Sequence, residues 1–310
     1  MIELVIVAVL STVAGVVWGL VVRAFPHADP ARAASQQLGA QLAEHRGIRR
    51  FLRARLDAET ATGLALTIAL VGVVIAGVVL GALVVMIRSN SSVVNVDREV
   101  TRWAATHVTT ASLKGFGWLT WAGSTIGVVA VALATTVYAM RARRQWSVAL
   151  FFVLVLGGQL LLSNLIKIAV ERVRPDAPPL HVLSGPSFPS GHATAAAATW
   201  AAVALVLSRG SSPRMRAVLA GAAAGIAVAV ACSRVFLGAH WTSDVIGGLV
   251  LGWTWFGLCA MAFGGRMLRL GAPAKEVAAT SAPTTPADAH SSVPEDDRPP
   301  PQRSKRSSPS

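Results

Sequence analysis

Three stretches of this 310-residue chain hold side chains whose types and spacing suit chemistry: "KIAVERVRP" from Lys167, "PSGH" from Pro189 and "SRVFLGAHWTSD" from Ser233. Lys167, Arg174 and Arg234 are fixed cationic donors of the kind that grip the non-bridging oxygens of a phosphate ester. Ser190 stands where a helix N-cap would fall, ahead of Gly191 and His192. Free N–H groups and the positive end of the helix dipole make such a start an anion site. His240 and Asp244 are spaced i,i+4, close enough for a carboxylate to hold an imidazole in one tautomer. A neutral His240 so held is a nucleophile. His192, at the start of its helix, is an acid for the leaving oxygen. Together these parts suit phosphoryl transfer.

Each part alone has a plainer reading. Lys167 can snorkel and pair with Glu171, Ser190 can simply cap a helix, and His240 with Asp244 can be a local structural contact. If the helix carrying Lys167 continues to Pro175, Lys167 and Arg174 are seven positions apart and share a face. Two His and one Asp could also hold a divalent metal. Three cations beside them would repel it, so neither a metal nor any other cofactor is expected.

The elements that must bring these groups together are apolar. The chain is 53% hydrophobic and 14% charged, with a mean hydropathy of +0.56. A soluble domain would carry roughly 25% charged residues. Seven apolar spans are read, over 1–22, 61–87, 117–140, 147–167, 191–208, 217–236 and 243–263. Each is long enough to cross a hydrocarbon core of about 30 Å, the fifth and sixth being Ala-rich and suited to the inside of a bundle. Gly77/Gly81, Gly221/Gly225 and Gly248/Gly252 have the spacing that lets membrane helices approach closely. Trp118, Trp121, Trp146 and Trp241 fall near span ends, as an aromatic belt requires. Cys232 and Cys259 lie within apolar runs and form no disulfide framework.

Charge then sets orientation. Segment 23–60 holds seven arginines, loop 141–146 reads "RARRQW", and loop 209–216 carries Arg209, Arg214 and Arg216. Seven crossings place all three on one side, the cytoplasmic side by the positive-inside rule. The three chemical stretches then converge on the opposite, extracytoplasmic face. The net charge of +13 is thereby a topology signal, and no nucleic-acid partner is expected because no recognition motif accompanies it. The first span has no basic residue before it and carries Glu3, so it reads as a retained anchor and not as a cleaved signal. Within 23–60, "IRRFLRARLDA" fits either a surface-lying amphipathic helix or a solvated linker. From Gly264 the sequence is rich in Pro, Ser, Thr and Ala and reads as a disordered tail.

The three stretches resemble the K-x6-R-P, P-S-G-H and S-R-x5-H-x3-D signatures of the type 2 phosphatidic acid phosphatase superfamily, which also includes vanadium haloperoxidases. The resemblance covers roughly 61–263. It implies an all-α, polytopic membrane helix bundle with a six-helix core over 61–263. An N-terminal transmembrane helix with a basic linker (1–60) and a cytoplasmic tail (264–310) lie outside it. It further implies that His240, oriented by Asp244, forms a phosphohistidine, that His192 protonates the leaving group, and that Lys167, Arg174, Ser190, Gly191 and Arg234 hold the phosphate without a metal. The expected activity is hydrolysis of a lipid phosphate or diphosphate, with undecaprenyl diphosphate preferred and phosphatidic acid or phosphatidylglycerol phosphate open. Lipid phosphotransfer, vanadate-dependent halide oxidation and non-enzymatic lipid binding are the alternatives. The expected partners are the lipid substrate and the bilayer of the cell membrane, with homo-oligomerisation left open.

Overall fold

The computed structural model describes residues 2–24, 61–143, 145–176 and 184–267. The basic linker read as an amphipathic segment, and the tail beyond residue 267, lie outside the described residues. Among the described residues the α-helices are α1 (Ile2–Ala24), α2 (Ala61–Arg88), α3 (Ser92–His107), α4 (Thr110–Thr120), α5 (Thr125–Arg143), α6 (Ser147–Val170), α7 (Gly191–Leu207), α8 (Pro213–Phe236) and α9 (Thr242–Met267). A helix satisfies its own backbone polar groups, which is what hydrocarbon demands of a spanning segment. Six of these helices are long and apolar enough to cross a membrane, and α7 is a shorter apolar helix. The chain is thus a polytopic membrane helix bundle. Large apolar side chains such as Val13 and Leu20 on α1, Val78 and Val85 on α2, and Leu161 and Ile168 on α6 are exposed. Lipid tails are the solvent that suits them.

The third expected span is corrected. Residues 117–140 do not form one helix; α4 ends at Thr120, a 3-10 turn covers Trp121–Gly123, and α5 starts at Thr125. Ser124 makes the break by accepting the Gly127 N–H at 3.0 Å on its hydroxyl, satisfying a donor that the new helix leaves orphaned. The turn is pinned inward, because a methyl on Gly123 would stand 2.8 Å from the His192 carbonyl oxygen. Helices α3 and α4, unforeseen as elements, lie between the second and third spanning helices.

The Ala-rich α7 is the hub, packed by α5, α6, α8 and α9. Ala193 to Ala198 are all buried. Small side chains let its neighbours come close. On α9, a methyl at Gly248 would meet the Ser190 carbonyl oxygen at 2.7 Å, and one at Gly252 would collide with the Thr194 carbonyl. On α8, Gly221 and Gly225 face Gly15 and Ser11 of α1 in the same manner, a methyl on Gly221 standing 2.5 Å from the Gly15 carbonyl oxygen. The buried Glu3 at the start of α1 accepts a hydrogen bond from Ser112 of α4. Two of the three expected glycine pairs thus form helix seams, while Gly77 and Gly81 have nothing within 4 Å of an added methyl. Below the hub, Phe151, Phe152 and Val155 of α6 fill the core against Ala198, Ala202 and Val206 of α7.

Candidate active site

Helices α6 and α8 end, and α7 and α9 begin, at one end of the bundle. The backbone ties them there: the Ser190 N–H donates to the Asp244 carbonyl at 3.0 Å. At the neighbouring corner, Arg88 at the end of α2 donates to the Ala169 carbonyl of α6 at 3.0 Å.

Lys167 sits in the last turn of α6. The helix does not run on to Pro175 as the shared-face expectation required. It stops at Val170, and Glu171 takes the left-handed conformation (φ 49°, ψ 35°) that closes the last turn. That conformation costs a non-glycine residue roughly 1–2 kcal/mol, so contacts made by the neighbouring Arg172 and Arg174 must impose the reversal. Arg174 donates to the Ala239 carbonyl at 2.7 Å and the Gly185 carbonyl at 3.1 Å, and its Nη1 lies 3.4 Å from His240 Nε2. Lys167 and Arg174 therefore reach one site from a helix end and a turn, not from one helical face.

Ser190 is the N-cap of α7, but its side chain makes no capping bond. Its hydroxyl oxygen is buried and has no partner. Gly191 leaves open the place a methyl would take 3.8 Å from Lys167 Nζ. His192 comes next, in the first turn, within electrostatic reach of Arg234, His240, Lys167 and Arg174. The Ser190–Asp244 backbone bond holds the start of α7, with His192, beside the start of α9, which His240 just precedes.

Arg234 comes from the last turn of α8. It is 7% exposed, donates to the Thr120 hydroxyl at 3.1 Å, and keeps its Nε without a partner. Gly238, at φ 66°, turns the chain back after α8, a conformation that costs glycine no steric strain. The N–H groups of Ala239 and His240 then both donate to the Arg234 carbonyl, at 3.1 and 3.3 Å. Ser233, grouped with these residues in the sequence, gives its hydroxyl to the Val230 carbonyl at 2.7 Å.

His240 is 2% exposed and Asp244 fully buried. His240 Nδ1 lies 3.5 Å from Asp244 Oδ2, longer than a well-formed hydrogen bond, as is common in a site without substrate. Burial pushes the His240 imidazole down to about 4, with Asp244 pulling in the opposite direction and Arg234 and Arg174 adding to the fall. It is neutral at pH 7. Burial likewise lowers the Arg174 guanidinium from its ordinary value, opposed by Asp244. Among the described residues, no three His, Cys, Asp or Glu side chains gather as a metal site would require.

Three residues bonded to these side chains or to one another escaped the sequence reading. Arg172 bonds Asp244 Oδ1 at 2.6 Å and Asp97 Oδ2 at 2.7 Å, and its guanidinium carbon lies 5.4 Å from the Trp241 ring centre. Asp97 comes from α3, a helix with no motif. The available signal was an arginine two residues from Arg174 and a carboxylate on an amphipathic helix between two spans. Thr120 also went unnoticed.

With this geometry in place, similarity to known proteins decides the family. The PAP2 superfamily matches residues 146–267. The decaprenylphosphoryl-5-phosphoribose phosphatase of Mycobacterium tuberculosis is 35% identical over 145 residues, 46% of this chain and 74% of that protein. The chain belongs to the PAP2 superfamily. A second relative in sequence is the phosphatidylglycerophosphatase B of Bacillus subtilis, 41% identical over 115 residues, 36% of this chain and 55% of that one. The lipid A 1-phosphatase of Rhizobium johnstonii is 40% identical over 119 residues, 35% of this chain and 44% of that one. The chain thus spans about half the length of these two. Among solved structures, the transmembrane PAP2 type phosphatidylglycerolphosphate phosphatase from Bacillus subtilis superposes with a TM-score of 0.57 at 29% identity, covering 63% of this chain and 96% of that one. All three site stretches fall inside the superfamily match.

Proposed function

We propose that this chain is an integral-membrane phosphatase that removes phosphate from a lipid phosphate through a phosphohistidine on His240. The observation that carries the reading is the meeting of two imidazoles and three cations at one end of the bundle, where the Ser190 hydroxyl and Arg234 Nε are buried without partners. Buried polar groups ordinarily find partners, and a phosphate oxygen would satisfy both.

A guanidinium only donates, so the Arg174 contact at Nε2 leaves the ring proton on Nδ1, facing Asp244. Nε2 then attacks phosphorus, the bond to the lipid oxygen breaks, and His192 delivers a proton to that oxygen. Lys167, Arg174, Arg234, Ser190 and the N–H groups that open α7 hold the non-bridging oxygens. In the second step water, giving its proton to His192, displaces Nε2 and releases phosphate. No cofactor enters either step.

A lipid substrate is supported by the site's place at the helix ends, where an amphiphile presents its headgroup while its tail stays in hydrocarbon. We place the site on the extracytoplasmic side of the cell membrane and the C-terminus in the cytoplasm. Support comes from the arginine-rich connections from α5 to α6 and from α7 to α8, which join the helix ends remote from the site. In this reading residues 61–263 are the phosphatase core, 1–60 an anchor with its linker, and 264–310 a tail. Undecaprenyl diphosphate is the substrate we place first. Phosphatidylglycerol phosphate is the second reading, favoured by the activity named both for the Bacillus subtilis relative and for the Bacillus subtilis solved structure.

A phosphate-release panel on purified full-length protein in detergent tests this. Its arms are undecaprenyl diphosphate, phosphatidylglycerol phosphate and phosphatidic acid, each with wild type and His240→Ala. Turnover by wild type and none by His240→Ala is expected. Absence of release from every lipid would leave the lipid-binding alternative standing, and phosphate recovered on an added lipid acceptor would mark a phosphotransferase.

A further inference from the structure

Behind His240 the polar network continues past the residue that touches it. Asp244 receives two fixed donors: Arg172 Nη1 on Oδ1 at 2.6 Å and the Trp241 N–H on Oδ2 at 3.0 Å. Arg172 is itself held by Asp97, whose Oδ2 accepts Nη2 at 2.7 Å. Asp97 also accepts the Ser243 N–H at 2.9 Å on Oδ1 and the Ser243 hydroxyl at 2.5 Å on Oδ2. The Ser243 hydroxyl in turn accepts from Arg172 at 2.7 Å. Asp97 and Asp244 are 1% and 0% exposed. The network spans three elements, and its far end lies on α3, outside the three stretches.

We propose that Asp97 and Arg172 are positioning residues for the reaction, fixing Asp244 so that its Oδ2 faces the His240 imidazole and its negative charge is not cancelled. The inference rests on the phosphatase reading. Two carboxylates share one guanidinium, which leaves one net negative charge next to the imidazole. Were Asp97 absent, Arg172 and Asp244 would form a neutral pair, and the positive charge that builds on the ring during attack would lose its counter-charge. Asp97 also fixes the first turn of α9, the element that carries Asp244. The reversal at Glu171 fits the same purpose, because it brings Arg172 back to Asp244 and lets the Trp241 indole N–H bond the Val173 carbonyl at 2.8 Å. The charged groups acting on His240 are Asp244 from α9, Arg234 from α8 and Arg174 from the turn after α6.

The test measures kcat, KM and the pH profile for full-length wild type, Asp97→Asn and Arg172→Lys, on whichever lipid phosphate of the panel wild type hydrolyses. Rates are expressed per vanadate-binding site so that misfolded protein does not count. For Asp97→Asn, kcat should fall at least about tenfold with little change in KM, since a small misplacement of a catalytic group costs up to about a hundredfold. Its acid limb should move to lower pH, because one negative charge near the imidazole is gone. Arg172→Lys keeps the charge and loses the two-pronged geometry, so kcat should fall while the acid limb stays. The Arg172→Lys result decides the matter if Asp97→Asn binds no vanadate. On Asp244→Asn, the Asp97→Asn change should add almost nothing. A kcat within about twofold of wild type with an unmoved acid limb would overturn the inference. Wild type that releases no phosphate would instead sink the phosphatase reading, so the two failures are told apart.

Discussion

Arg174 Nη1 lies 3.4 Å from Nε2 of His240, and the contact sorts the two nitrogens of the ring. The nitrogen facing the guanidinium must offer its lone pair, so the other carries the proton toward Asp244. The same arginine that is proposed to hold the phosphate thus keeps the attacking atom unprotonated.

The pH profile should show this. Burial lowers the His240 imidazole to about 4, so the neutral form survives below the ordinary histidine range and is lost only as pH falls toward that value. The acid limb of kcat/KM should therefore lie well below pH 6.5. A limb at or above 6.5 in a titration of phosphate release would mean that another group acts as nucleophile. Replacing Asp244 with Asn should reduce kcat about a hundredfold or more.

Ser190 separates catalysis from stability. Its hydroxyl is buried and unpartnered in the free protein, so Ser190→Ala should leave thermal unfolding unchanged or slightly raised. Phosphate release should nevertheless drop about tenfold in kcat/KM through loss of one donor to the phosphate. Equal losses of stability and activity would show a structural hydroxyl.

For Arg234, charge alone should not suffice. Arg234→Lys keeps a cation but gives up the fork that bonds Thr120 and leaves Nε free. Vanadate affinity and kcat/KM should both fall, by about ten- to a hundredfold. Thr120→Val, which removes only the anchor, should cost less.

Helix approach is testable through glycines. Gly252→Ala would drive a methyl into the Thr194 carbonyl, and Gly221→Ala one toward Gly15. Each should destabilise by about 1–3 kcal/mol in thermal unfolding. Gly252→Ala should also lower turnover, because α7 and α9 carry His192 and Asp244. Gly77→Ala and Gly81→Ala, with open space around them, should change neither.

Chelation gives a separate check on the chemistry. Phosphate release should persist in EDTA and be blocked by vanadate. Activity lost in chelator and restored by a divalent ion would require a metal in the reaction.

The apolar spans and the three polar stretches were legible because hydrocarbon thickness and i,i+4 spacing are written directly into the chain. The break at Ser124 was not, since an apolar stretch reads as one helix until its hydroxyl finds the Gly127 N–H. The turn at Glu171 was hidden for a related reason. The local stop, Pro175, stands four residues further on, and the Asp97–Arg172–Asp244 network that would favour the earlier turn joins residues about 150 positions apart in sequence. Lys167, Arg174, Ser190, Gly191, His192, Arg234, His240 and Asp244, the residues proposed for the reaction, could be named from the sequence because they lie in three recognisable stretches, whereas Asp97, one of the two residues proposed to steady Asp244, lies in none of them.

The groups assigned to the reaction sit in the last turn of a helix, the first turn of another, or within a few residues of a helix end; none is set midway along a span. Reactor and hull are therefore separable. The lipid-facing side chains of the spans could be rebuilt to suit a thicker or thinner bilayer, and the geometry around phosphorus would be carried along unchanged at the rim.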